Sequence, residues 1–206
     1  MILHYTSISP NSRRVLTGAY QMGYELDLRH SNPDSPELHK LNPNGLVPVL
    51  EDGSFVLWES NAILLYLAEK LSETPLYPKD AKTRAEIARW QFWTHAHFDP
   101  VCGPFLWENE FKKQFIGQDP DPKAVEKAKE AFHPVARILD QALSGRDYLV
   151  GNRITLADFS VSAFLMYQET SKIPLGEHPN AMGWLKRVHE SDGWKRSGKV
   201  IPGFAK

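Results

Sequence analysis

The residues whose types and spacing could do chemistry fall in three short stretches of the first 60 positions: Ser9-Pro10-Asn11-Ser12, Val47-Pro48 and Glu59-Ser60. Ser9 and Asn11 lie where a strand-like run gives way to a helical one, the place where α/β folds bind ligands. No histidine or carboxylate stands near Ser9 in the chain to take its proton, so a serine-hydrolase role is not expected. A hydroxyl that donates a hydrogen bond to a bound anion is. Glu59-Ser60 immediately precedes a helical run. Ser60 can cap that helix, or its hydroxyl and the spare N–H groups can hold a ligand carboxylate while Glu59 pairs with the same ligand's ammonium. Pro48 sits in a strand-like run. Two readings stand side by side: an edge proline, or a cis-proline that turns the Val47 N–H and C=O outward toward a peptide-like ligand.

The elements that must position these residues follow from periodicity. Residues 2–6 read as a strand, about 13–21 as a helix capped by Ser12 and stopped by Gly23, and 24–30 as a strand alternating Tyr24, Leu26 and Leu28 with polar neighbours. A short helix is expected around Pro36–Leu41. LVPVLED and FVLW then form a hairpin about Asp52-Gly53, and a helix runs on from Ser60. Strands separated by a helix favour a parallel βαβ unit, and the hairpin adds antiparallel strands. Residues 72–81, with two prolines and no periodicity, read as a linker. Everything after it is helical in pattern. An aromatic-rich helix over 82–99 is interrupted by Pro100, Gly103 and Pro104. Further helices are expected over 122–143, from about Thr155, and over about 181–190. The fold class is therefore α/β plus all-α, with domains at 1–77 and 82–206.

Composition narrows the function classes. The 24 Lys+Arg against 25 Asp+Glu leave a net charge of −1, which excludes a protein devoted to coating nucleic acid or anionic membrane. Arg13-Arg14 is accordingly expected to be solvated or to lie at a dimer interface. The lone Cys102 excludes an internal disulfide or a multi-cysteine zinc cluster and fits a reducing compartment. It is expected to be packed in the helical domain. His95-x-His97 has no companions that would complete a metal-ligand set, so no metal is expected. The opening MILHYTSISP lacks a basic segment followed by an apolar run, and no stretch approaches 18 uninterrupted apolar residues. A cytoplasmic protein with no membrane span is the expectation.

Three motifs then occur in order: S-P-N-S-R-R-V after the first strand, N-P-N-G-L-V-P-V-L before the D-G turn, and E-S-N-A-I-L-L-Y-L after it. A fourth, G-N-R-I-T-L-A-D-F at 151–159, places Thr155 and Asp158 at capping-box spacing, so Thr155 is the expected N-cap and Asp158 is structural. With these motifs the whole chain strongly resembles the cytosolic glutathione transferase superfamily. The resemblance implies a thioredoxin-like N-terminal domain with a cis Val47-Pro48 bond. It implies that Val47 and Pro48 serve the cysteinyl backbone of glutathione and that Glu59 and Ser60 hold its γ-glutamyl end. Leu46 stands where many relatives have Gln or Lys, so a side-chain contact is lost there. His39 or Lys40 could meet the glycyl carboxylate. A homodimer is implied as well.

Ser9 falls where serine-type members keep the hydroxyl that faces the glutathione sulfur. Tyr5 is the tyrosine-type alternative. The Ser-Pro-Asn order also resembles a bacterial subgroup with Thr-Pro-Asn, in which Asn11 would share the sulfur contact. A free thiol with pKa about 8.5 must be lowered by about two units, roughly 2.7 kcal/mol. One charge-assisted hydrogen bond of ~1.5–3 kcal/mol plus a helix dipole can supply that. The expected activity is attack of the activated thiolate on hydrophobic electrophiles. The alternatives are glutathione-dependent reduction of disulfides or peroxides, and a non-catalytic binding module on the same fold. The electrophile is expected to meet aromatic surface drawn from Trp90, Trp93, Phe98, Phe105, Trp107 and Phe111.

Overall fold

Four short strands and the helices between them build the first part of the chain. The computed structural model describes residues 1–203. β1 (Ile2–Tyr5) lies parallel to β2 (Asp27–His30), in register from Ile2 opposite Asp27 to Tyr5 opposite His30. The crossover between them is α1 (Pro10–Gln21). β3 (Val49–Asp52) runs antiparallel to β1 and turns through Gly53, at φ 63°, into β4 (Phe55–Trp58). The sheet order β2-β1-β3-β4, with α2 (Pro36–Leu41) before β3 and α3 (Ser60–Glu69) after β4, is a thioredoxin-like arrangement. Leu3 and Leu50 of the sheet, Val15, Leu16 and Ala19 of α1, and Ile63, Leu64 and Leu67 of α3 are its fully buried core.

Two local expectations are corrected. Ser9, not Ser12, caps α1: its Oγ accepts the Ser12 N–H at 3.1 Å, and the helix begins at Pro10, whose missing N–H is no loss in a first turn. Ser12 is buried instead, and its hydroxyl has no partner among the described residues. Ser60 is likewise inside α3 rather than its cap. Glu59 occupies the cap position at φ 73°, ψ 111° and makes no side-chain capping bond.

The chain divides into two compact units, Met1–Asp80 with Glu190 onward, and Ala81–His189. This differs from domains at 1–77 and 82–206, because α10 (Asp192–Val200) belongs with the first unit. Gly193 is what allows it. A Cβ there would stand 2.2 Å from the Thr17 carbonyl oxygen, so only glycine lets α10 approach α1 this closely. The Gly193 N–H donates to Gln21 Oε1 at 2.9 Å, Thr17 Oγ1 and Ser197 Oγ share a hydrogen at 2.8 Å, and the Arg13 guanidinium lies 4.3 Å over the Trp194 ring. Arg13 and Arg14 are therefore both buried, against the solvated or interfacial placement their sequence context suggested.

The second unit is all helical: α4 (Ala81–Trp93), α5 (Asp99–Leu106), α6 (Lys112–Ile116), α7 (Pro122–Ala142), α8 (Leu156–Ser162) and α9 (Pro179–His189). Pro100, Gly103 and Pro104 do not break its first helix. Wide π-helical turns at Thr94–Phe98 and Trp107–Phe111 join α4, α5 and α6, and Pro100 falls in the first turn of α5, where no N–H is needed. Thr155 caps α8 in a reciprocal capping box with Asp158. The fully buried Asp158 carboxylate accepts from the Leu149 and Thr155 N–H groups, the Thr155 hydroxyl and Trp184 Nε1. Burial pushes its carboxyl above the ordinary range, against the pull of these donors. Cys102 is fully buried, and burial raises its thiol well above the usual value. Among the described residues no helix is long and apolar enough to cross a membrane.

Candidate active site

Two helix N-termini and one cis bond carry the polar groups that the sequence singles out. At the head of α1, Ser9 is half-buried, and its oxygen already accepts the Ser12 N–H. A hydroxyl that accepts there keeps its proton for a second partner. Asn11 Oδ1 accepts from Arg14 Nη1 at 2.6 Å, which fixes the amide and leaves Nδ2 with no partner among the described residues.

Arg14 links this corner to α3. The same Nη1 donates to Ser60 Oγ at 3.0 Å, and Ser60 Oγ donates in turn to Asn11 Oδ1 at 3.4 Å. Arg14 is 1% exposed and Ser60 5%, so the cluster works in a low-dielectric environment where charge–dipole interactions are strong. The Ser60 oxygen is occupied by the guanidinium, and its hydrogen makes only the long 3.4 Å bond to Asn11 Oδ1, one that a ligand carboxylate can displace. Arg14, which the sequence suggested only as solvated or interfacial charge, is the buried residue that joins Asn11 to Ser60. The signal was the i, i+3 spacing from Asn11, which puts both on one face of α1.

Glu59 is exposed at the start of α3, and among the described residues its side chain has no partner. Its φ of 73° is a left-handed conformation that L-residues adopt at a cost of about 1–3 kcal/mol, a strain found at sites that must aim a side chain. The Val47-Pro48 bond is cis. Among the described residues the Val47 N–H and C=O take no hydrogen bond, so an extended partner can use both.

Other candidates are placed differently. The Tyr5 ring packs edge-on against His30 at 5.7 Å. His39 Nδ1 lies 3.2 Å from the Pro43 carbonyl and Nε2 lies 3.7 Å from Asp34 Oδ1, so its ring serves the loop that follows α2. Lys40 and Leu46 are exposed. In the second unit Trp90, Phe98 and Phe105 are core, whereas Trp107 is 42% exposed and Trp93 and Phe111 are half-buried.

Comparison with known proteins decides the family. Residues 3–75 match the family model "Glutathione S-transferase, N-terminal domain", and residues 93–192 match "Glutathione S-transferase, C-terminal domain". The chain is 31% identical over 207 residues to glutathione S-transferase D7 of Drosophila melanogaster, covering 95% of this chain and 87% of that one. It is 32% identical over 177 residues to glutathione S-transferase theta-1 of Mus musculus, covering 84% and 73%. The chain belongs to the glutathione S-transferase family. Among solved members, the theta class glutathione S-transferase of Xanthomonas axonopodis pv. citri, with glutathione bound, superposes at TM-score 0.85 with 29% identity, covering 97% of this chain and 96% of that one. This glutathione S-transferase family member is thus an enzyme of the glutathione-transferring kind, with a thioredoxin-like unit carrying the polar cluster and a helical unit following it.

Proposed function

We propose that the protein binds glutathione along Val47, activates its thiol as a thiolate beside Ser9, and transfers it to hydrophobic electrophiles. The observation that carries this reading is the polarity of Ser9. Its oxygen is committed to the Ser12 N–H, so its hydrogen is the part left to donate, at the positive end of α1. A donor there stabilises sulfur as an anion.

Asn11 Nδ2, aimed by the Arg14 bond to Oδ1, is the second donor to that sulfur. The Val47 N–H and C=O, held beside Pro48, pair with the cysteinyl main chain in the manner of an added strand. Ser60 donates to the γ-glutamyl carboxylate at the head of α3, and Glu59 pairs with its ammonium. With a halogenated aromatic, the sulfur–carbon bond forms, the carbon–halogen bond breaks, and halide leaves with the electron pair. The exposed Trp107 and the half-buried Phe111 are aromatic surface suited to such electrophiles. Family membership supports two further parts of this reading, a homodimer and a cytoplasmic location.

Turnover separates the alternatives. Protein freed of glutathione is given millimolar glutathione with 1-chloro-2,4-dinitrobenzene and, separately, with a mixed disulfide and with a hydroperoxide. Conjugation of the aromatic is the expected result. Reduction of the disulfide or peroxide without conjugation would make the protein a reductase. Calorimetric binding with neither turnover would make it a binding module.

A further inference from the structure

A second cluster lies in the first unit, on residues the glutathione reading leaves unused. Ser31 Oγ is 2.9 Å from His4 Nδ1, and His4 Nε2 is 2.6 Å from Glu51 Oε1. The tautomer follows from the acid: an ionised carboxylate only accepts, so Nε2 carries the proton and Nδ1 is the acceptor that faces the serine hydroxyl. A competing contact from Ser31 Oγ to the Arg29 carbonyl is longer, at 3.4 Å. His4 is 5% exposed, which holds the ring between its two partners, while Ser31 is open to solvent in part.

The surroundings suit a substrate. The three residues line a cleft of about 490 Å³ between the sheet and α2, within the range of small-molecule sites. Ser31 directly follows β2, at the carboxyl end of a strand parallel to β1, where α/β sheets place ligands. Asn32, the residue after Ser31, lines the same cleft, and its main-chain N–H makes no hydrogen bond among the described residues. A nucleophile's following N–H is a donor suited to a developing oxyanion.

We propose that Ser31, His4 and Glu51 form a second, glutathione-independent site that hydrolyses small uncharged esters. Ser31 Oγ bonds to the ester carbonyl carbon as its proton passes to His4 Nδ1, and the Asn32 N–H holds the oxyanion. The carbon–oxygen bond to the alcohol breaks, and the leaving oxygen takes the proton from His4. Water then adds to the acyl-serine, giving its proton to His4. Departure of the carboxylic acid returns that proton to Ser31. Glu51 is a positioning residue that orients the imidazole.

The test uses the full chain dialysed free of glutathione, with 4-nitrophenyl acetate as substrate and a fluorophosphonate as covalent probe, the adduct being located by peptide mass spectrometry. The expected result is a phosphonylated Ser31. Ester turnover should fall at least about tenfold in Ser31→Ala and in His4→Gln, with thermal melting showing both variants folded. Glu51→Gln should lose labelling and Glu51→Asp should retain part of it, a rescue that simple loss of packing would not produce. An unlabelled Ser31 in the parent protein, an adduct elsewhere, or ester turnover that survives Ser31→Ala overturns the proposal. None of these readouts involves glutathione, so the outcome is independent of the reading of Ser9.

Discussion

Replacing Ser9 by alanine removes two interactions with separate signatures. The first is the cap. The 3.1 Å bond to the Ser12 N–H disappears, which costs about 1 kcal/mol and lowers Tm by ~2–4 °C for a chain of this size. The second is the hydrogen that, in the proposed function, Ser9 donates to the glutathione sulfur. A hydrogen bond to a charged group contributes ~1.5–3 kcal/mol, so its loss raises the thiol pKa of bound glutathione by roughly 1–2 units. If the bound thiol starts near about pH 6.5, its ionised fraction at that pH falls from half to roughly 1–9%. kcat/KM for the chlorodinitrobenzene reaction should then fall ~5–50-fold at pH 6.5 and recover as pH approaches about 9. Titrating the thiolate ultraviolet absorbance of the binary complex gives the pKa directly, and a thermal melt gives the cap. Ser9→Thr, which keeps both groups, should leave both near the parent values. A Ser9→Ala protein that melts lower yet keeps the parent thiol pKa would reduce Ser9 to a capping residue and refute the assignment.

Three further outcomes follow from the same structure. Glu59→Gly should relieve the φ of 73° and raise Tm by a few degrees, while raising KM for glutathione at least about tenfold; a variant that is stabilised and binds unchanged would remove Glu59 from the site. Asp158→Ala should cost at least ~3 kcal/mol in urea unfolding, because the four donors converging on the carboxylate would be left buried and unpaired. His178 is buried 3.1 Å from His133, and burial first, then that neighbour, hold it below the ordinary histidine range. The unfolded chain takes up this proton near pH 6.5 while the folded chain does not, so the contribution of His178 to stability is full above that pH and is lost as pH falls below it. The drop in Tm between pH 7.5 and 5.5 should therefore be larger in the parent protein than in His178→Asn, and equal slopes would contradict it.

What could be read from the sequence was what short-range chemistry dictates. Asp52-Gly53 announces its hairpin because glycine relieves the positive φ there, and α1, α2 and α3 follow their apolar spacing. The stretches around Ser9, Val47-Pro48 and Glu59-Ser60 stood out because each combines a turn or cap signal with groups that can bind a ligand. What stayed hidden depends on partners distant in the chain. Arg14 looks like surface charge until Ser60, 46 positions on, is seen to accept from it. The prolines at 100 and 104 look like breaks because the π-helical turns that accommodate them leave no local trace. α10, DGWKRSGKV, has a glycine as its second residue and carries four charged side chains, so its placement rests on the fit of Gly193 against Thr17.

That fit bears on how the protein is made. A ribosome delivers Met1–Asp80 early, but the strip of α1 around Arg13 and Thr17 has no cover until Trp194 and Ser197 emerge, about 110 residues later. At ~5–20 residues per second the wait is roughly 5–20 s. Throughout it the sheet's first crossover helix offers a bare cationic and hydroxyl-bearing flank, and a nascent chain arrested inside α9 should stay sensitive to protease near Arg13 until translation resumes.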